Sequence, residues 1–124
     1  MAEPMLRDRS VLVAEDEYLV AEELEVELAA AGAVVLGPVA RVTDALALLD
    51  RQPKIDAAIL DANLQGEMIF AIADALTERS VPFVFTTGYD RSAIPKRFEH
   101  ILSYQKPTDA SALVSSIQRL IRNS

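Results

Sequence analysis

Short apolar runs of four or five residues alternate along this chain with longer stretches whose apolar residues recur every three or four positions. The earliest short run is Ser10-Val11-Leu12-Val13-Ala14. It has no polar side to turn to water, so it reads as a strand covered on both faces. A longer stretch buries one stripe and wets the rest, as an amphipathic helix does. Repeating this alternation leaves few architectures open. The one that satisfies every segment is an α/β domain with a parallel sheet, each strand returning through a helix, and helices on both faces.

The individual segments follow that rhythm. Residues 17–31 place Leu24, Leu28 and Ala31 on a face shared with Val20 or Ala21, while Glu22, Glu23, Glu25 and Glu27 cover much of the remainder. Gly32 is a natural stop. A second strand spans residues 33–36 and ends at Gly37-Pro38. Thr43 is a suitable cap for a helix over 44–50 with Ala45, Leu48 and Leu49 inward. Pro53 makes the next turn, and the third strand, 57–60, runs straight into Asp61. Gly66 opens a loop-to-helix transition, with Met68, Ile69, Ile72, Ala73 and Leu76 at helical spacing. Pro82 begins a fourth strand over 83–86, where a strand tolerates proline. Pro95 lies within residues 88–100, so any helix there is short or broken. A weak fifth strand covers 101–104, and Thr108 caps a last helix with Ala110, Leu113, Val114, Ile117, Leu120 and Ile121 on one stripe.

Size and charge narrow the functional classes. A chain of 124 residues holds one domain, taken as 1–124 with a structured core of about 9–123. It has no cysteine, which excludes disulfides and cysteine-based zinc sites. A net charge of −7 disfavours direct nucleic-acid binding, which wants a basic footprint. No run is long and apolar enough for membrane insertion, and the first ten residues, MAEPMLRDRS, lack a secretory signal, so the expected location is the cytoplasm.

In such a sheet, ligands bind beyond the carboxyl ends of the strands. Glu15 and Asp16 follow the first strand, Asp61 the third, Thr87 the fourth, and Lys106 and Pro107 the fifth. Taken singly, each has an ordinary explanation: an acid at a helix start, a turn residue, a solvated lysine. Together they place three carboxylates, a hydroxyl and an ammonium on one edge. Packed carboxylates raise one another's pKa unless a cation sits among them, and a hard divalent ion resolves that conflict.

The segments VLVAEDE at 11–17, AILDANLQG at 58–66, FTTG at 85–88 and QKP at 105–107 together resemble the receiver domain of bacterial two-component response regulators, over essentially the whole chain. The resemblance implies a flavodoxin-like fold with strand order 2-1-3-4-5. It implies that Asp61 is the phosphoacceptor, and that Glu15, Asp16, Asp61 and the backbone carbonyl of Asn63 hold Mg²⁺, or Mn²⁺ in its place. It assigns Thr87, Gly88 and Lys106 to phosphoryl binding and switching, and makes the Lys106–Pro107 peptide cis. The small side of Gly88 would leave the site open to a donor. The implied partners are a sensor histidine kinase or a histidine phosphotransfer protein and a downstream protein target, with a homodimer left open. Such a domain assists its own phosphorylation and is not a turnover enzyme.

Two features depart from the commonest receivers. The usual switch aromatic lies three residues before the lysine, where this chain has Ser103; Tyr104, one residue later, should face the other side of the strand and serve in packing. FTTGY at 85–89, with Pro95 following, resembles a receiver subgroup with a Phe-X-Thr-Gly motif, an irregular fourth helix, and association with HWE-class kinases. There Tyr89 and residues 90–97 are candidates for switching. Asn63 and Tyr89 would flank the attacking water, and His100 reads as a surface residue. Three other readings remain: a pseudo-receiver that binds partners without phosphorylation, an FMN-binding flavodoxin, and a haloacid-dehalogenase-type phosphatase. Glu15, Asp16 and Glu17 would repel a flavin phosphate, and the phosphatase would want an acid where Asn63 stands. The chain reads either as a stand-alone receiver or as part of a longer regulator.

Overall fold

The computed structural model describes residues 5–88 and 93–122. Five parallel strands form the central sheet: β1 (Ser10–Ala14), β2 (Val34–Val39), β3 (Ala57–Asp61), β6 (Phe83–Thr87) and β7 (Ser103–Gln105), in the order β2-β1-β3-β6-β7. These are the expected five strands in the expected 2-1-3-4-5 order. A two-stranded hairpin, β4 (Asn63–Leu64) with β5 (Glu67–Met68), stands apart from the sheet. The helices are α1 (Tyr18–Ala30), α2 (Val42–Arg51), α3 (Phe70–Glu78) and α4 (Ala110–Arg122).

Alternation along the strands divides the core into two layers. Val11, Val13, Ala57, Ile59 and Val84 pack with Leu24 and Leu28 of α1 and Leu113, Val114 and Ile117 of α4. Leu12, Ala58, Leu60, Phe83 and Phe85 face the other way, against Ala45, Leu48 and Leu49 of α2 and Ile72, Ala73 and Leu76 of α3. Most of the inward residues expected of each helix therefore do line it, Met68 excepted. Leu6, upstream of β1, is also buried in the first layer, and its amide donates to Ala31 O.

Several boundaries differ from the sequence reading, each for a physical reason. β2 does not end at Gly37-Pro38 but continues to Val39, with a register irregularity opposite β1 between Leu12 and Ala14. Gly37 makes this possible: its φ is +99°, and a Cβ there would come within 2.7 Å of Val39 N and 2.9 Å of Val13 O. Pro38 has no amide to give, which an edge strand accepts. α2 begins at Val42 with Arg41 as its N-cap, not at Thr43, because Val42 is drawn into the core and Asp44 serves the first turn by charge. Asp109 displaces Thr108 at the start of α4: its Oδ1 accepts from Ser111 N at 3.0 Å and Ser111 Oγ at 2.8 Å. Met68 belongs to the hairpin and is exposed, so α3 starts later than the spacing suggested.

In place of a fourth helix between β6 and β7, the described residues hold one turn of 3₁₀ helix, Lys96–Phe98. Phe98 anchors it in a cluster with Phe70, Phe83 and Phe85, whose ring centroids lie 5.4 to 6.1 Å apart. Arg97 lies over the Phe98 ring and makes paired 3.0 Å bonds to Asp74 of α3. The fifth strand is shifted to Ser103–Gln105, paired with Phe85, Thr86 and Thr87. No helix among the described residues is long and apolar enough to cross a membrane.

Candidate functional site

Residues at the carboxyl ends of β1, β3, β6 and β7 surround a depression of about 530 Å³, lined by Asp16, Glu17, Asp61, Asn63, Gln65, Gly66, Gly88 and Lys106. Sheet register brings them together. Ala14 pairs with Leu60, Asp61 with Thr86, and Thr87 with Gln105, so the strands end at nearly one level and the next residue of each meets its neighbours. The Lys106–Pro107 peptide is cis, and Lys106 N donates to Thr87 O at 2.8 Å.

Lys106 is the centre of the site. Its Nζ donates to Glu15 Oε2 at 3.0 Å, Asp61 Oδ2 at 2.9 Å and Glu17 Oε1 at 2.9 Å. Burial works against its charge, but the bonds to Asp61, Glu17 and Glu15 outweigh this and hold its pKa above that of an ordinary lysine. Glu15 and Asp61 are both buried, and oxygens of Glu15, Asp16 and Asp61 lie within 4.8 Å of one another. Burial pushes the Glu15 carboxyl up to about 7; the Glu17 amide and Lys106 pull it down without cancelling that effect, and the Asp61 charge adds to it. Four carboxylates, of Glu15, Asp16, Glu17 and Asp61, gather around the one Lys106 ammonium, so the cluster is short of positive charge.

Backbone amides fix the acids. Asp61 Oδ1 accepts from Asn63 N at 3.1 Å, and Glu15 Oε2 accepts from Glu17 N at 3.0 Å. The hairpin does the same for Asp16: Gln65 and Gly66 form its turn with φ of 50° and 88°, the backbone of a two-residue type I′ turn. That turn aims Gln65 N at Asp16 Oδ2, 2.8 Å away, while Asn63 Oδ1 accepts from Gly66 N at 2.7 Å.

Thr87 is buried at the end of β6, and Gly88 is exposed on the rim. A Cβ at Gly88 would meet nothing within 4 Å among the described residues, so these give smallness there no part in keeping the depression open. Tyr89 lies outside the described residues, as does part of the 90–97 segment. Tyr104 packs in the layer beneath α1 and α4 and shares a hydrogen bond with Ser116 of α4, facing away from the Ser103 side. Ser103 Oγ is buried with no hydrogen-bond partner among the described residues. His100 is exposed. Two participants escaped the sequence reading. Glu17 was visible as a third acid after Glu15 and Asp16; the Gln65 amide was visible only as the Gln-Gly turn flanked by Asn63 and Glu67.

No protein-family model matches the chain, and no curated protein sequence does. Solved structures do. SdrG from Sphingomonas melonis Fr1 is 36% identical, over 98% of this chain and 99% of that one, with a TM-score of 0.78. The BeF3-activated conformation of SdrG from Pseudomonas melonis Fr1 is 34% identical, over 98% and 99%, with a TM-score of 0.72. A response regulator receiver protein from Sinorhizobium medicae WSM419 shares the fold at 21% identity, over 93% and 95%, with a TM-score of 0.78.

Proposed function

Since the chain belongs to the receiver-domain family of response regulators, we propose that it accepts a phosphoryl group on Asp61 from a phosphohistidine and thereby switches its binding to a protein target. The observation that supports this most is the Lys106 ammonium bonded to Asp61 while the oxygens of Glu15, Asp16 and Asp61 gather within 4.8 Å. A carboxylate so placed has a nucleophilic oxygen open to the depression and a cation beside it.

In the transfer, an Asp61 carboxylate oxygen forms a bond to phosphorus as the phosphorus–nitrogen bond to the donor imidazole breaks and its electron pair returns to the ring. The transition state is loose, so positioning and charge neutralisation carry the catalysis. Asn63 N holds the nucleophile's orientation and Lys106 supplies charge to the phosphoryl oxygens. The donor set, carboxylates with no soft ligand and with an excess of negative charge, fits a small hard cation. Glu15, Asp16, Asp61 and the Asn63 carbonyl would hold Mg²⁺ or Mn²⁺, which supplies further positive charge to the phosphoryl oxygens. Thr87, adjacent to Gly88, would follow the phosphoryl group once it is in place, biasing an existing equilibrium.

The partners in this reading are a histidine kinase, of the HWE class by the 85–89 motif, or a phosphotransfer protein. The domain promotes its own phosphorylation and is not a turnover enzyme. Incubation with acetyl phosphate and Mg²⁺ should add one phosphoryl mass, lost in Asp61→Asn and in EDTA. A folded wild type that neither gains that mass nor binds beryllofluoride would instead be a phosphorylation-independent interaction module.

A further inference from the structure

An ammonium has three hydrogens to donate, and Lys106 commits all three to carboxylates, of Glu15, Asp61 and Glu17. Glu15 and Asp61 belong to the acceptor site itself. Glu17 does not. It is the N-cap residue of α1, yet its side chain makes no bond to the free amides of that helix. Serine or aspartate at such a position would cap; the longer glutamate side chain reaches across to the lysine instead.

An arriving phosphoryl group brings several acceptor oxygens and negative charge, and Lys106 has no donor left for it. The bond to Asp61 loses its charged partner as that carboxylate becomes an acyl phosphate, and a second phosphoryl oxygen can be met only if the bond to Glu15 or to Glu17 is released. The Glu15 side chain is 2% exposed, and its Oε2 is also held by Glu17 N. The Glu17 side chain is 60% exposed, so its carboxylate returns to water at little cost. We propose that Glu17 is a positioning residue: it holds Lys106 on the acidic cluster before phosphorylation and competes with the phosphoryl group for it, setting the affinity of the site for that group. The proposal rests on the reading of Asp61 as phosphoacceptor.

The test is a beryllofluoride titration at saturating Mg²⁺, followed by backbone amide resonances, on wild type, Glu17→Ala, Glu17→Gln and Glu22→Gln. Glu17→Ala should lower the half-saturating concentration by about threefold or more, with Glu17→Gln between it and wild type. Glu22→Gln removes a nearby charge that does not touch Lys106 and should leave the titration where it was. In a Lys106→Met background the gain from Glu17→Ala should vanish. The Lys106 ammonium resonance of the ligand-free protein should exchange with water faster in Glu17→Ala. Unchanged or weaker binding by Glu17→Ala, an equal gain from Glu22→Gln, a gain surviving Lys106→Met, or an unmoved ammonium resonance would each overturn the proposal. A wild type silent to beryllofluoride would remove the phosphoacceptor reading and the proposal together; a responsive wild type with an unmoved Glu17→Ala removes the proposal alone.

Discussion

Replacing Lys106 with methionine keeps the apolar stem of the side chain and deletes the ammonium at its end. Glu15 and Asp61, 3% and 4% exposed, then face each other beside Asp16 with no ammonium between them. Removing one partner of a buried ion pair costs about 3–5 kcal/mol. Here the loss has a limit, because Glu15 can take a proton. Its pKa is already pushed up to about 7, by burial first, and the variant loses the Lys106 bond that pulls it down. The group is therefore protonated over a wider pH range in the variant.

The sign of the pH dependence follows. Glu15 has a folded-state pKa above its ordinary value of 4.5, so the stability it contributes is complete below about 4.5 and is lost as pH rises through about 7. In wild type that loss is finished near neutrality; in Lys106→Met it continues to higher pH. Urea unfolding in EDTA should show a deficit of about 1 kcal/mol at pH 5.5, where Glu15 is neutral in both proteins, and about 2 kcal/mol at pH 8, since the variant goes on losing about 1.4 kcal/mol per pH unit above 7 where wild type has stopped. Adding Mg²⁺ should narrow the pH 8 gap, since a bound cation replaces the missing charge and binding stabilises the folded state. A gap that is the same at both pH values, or under about 1 kcal/mol at pH 8, would refute the reasoning that this cluster is short of positive charge.

Three further outcomes separate structural from functional residues. Gly37→Ala should destabilise the fold by about 3 kcal/mol, because its φ is +99° and a Cβ would press on Val39 N and Val13 O; Gly88→Ala should stay within about 0.5 kcal/mol of wild type, as nothing among the described residues stands within 4 Å of its Cβ position. Thermal or urea unfolding of the pair decides it. Tyr104→Phe should cost about 1 kcal/mol through the lost Ser116 bond and leave the beryllofluoride half-saturation unchanged, since the ring faces α4 and not the site. Asn63→Ala removes the acceptor for Gly66 N and loosens the turn that aims Gln65 N at Asp16; Mg²⁺ affinity by titration calorimetry should fall about threefold or more with the fold retained.

The architecture was legible because apolar runs and helical stripes are dictated by burial, and burial is local in sequence. The carboxyl-end acids, Thr87 and Lys106 were legible for the same reason: once the strands are placed, the residues after them are placed too. What escaped depends on contacts between distant segments. Val42 enters α2 ahead of Thr43 because the core takes it; the Asp109 cap of α4 is the local exception, its carboxylate reaching Ser111 two residues on. β2 passes through Gly37-Pro38 because Val13 O lies where a side chain would be, a fact of β1 and not of β2. The aromatic cluster that replaces a fourth helix draws one ring each from Phe70, Phe83, Phe85 and Phe98, and no local pattern announces it.

Glu17 belongs to the same class of contact, and it changes how the site is understood. A half-buried lysine with three carboxylates, two of them buried, is a poor device for stability, since desolvation consumes much of what the ion pairs return. It is a sound device for a site that must receive negative charge. The buried acids alone would repel a phosphoryl group, and a lysine bound irrevocably to them would have nothing to offer it. An exposed third partner lets the ammonium stay paired at rest and exchange that partner for a phosphoryl oxygen without uncovering Glu15 or Asp61. On this argument the affinity of the site is set less by how tightly Lys106 binds its carboxylates than by how cheaply it can leave one of them.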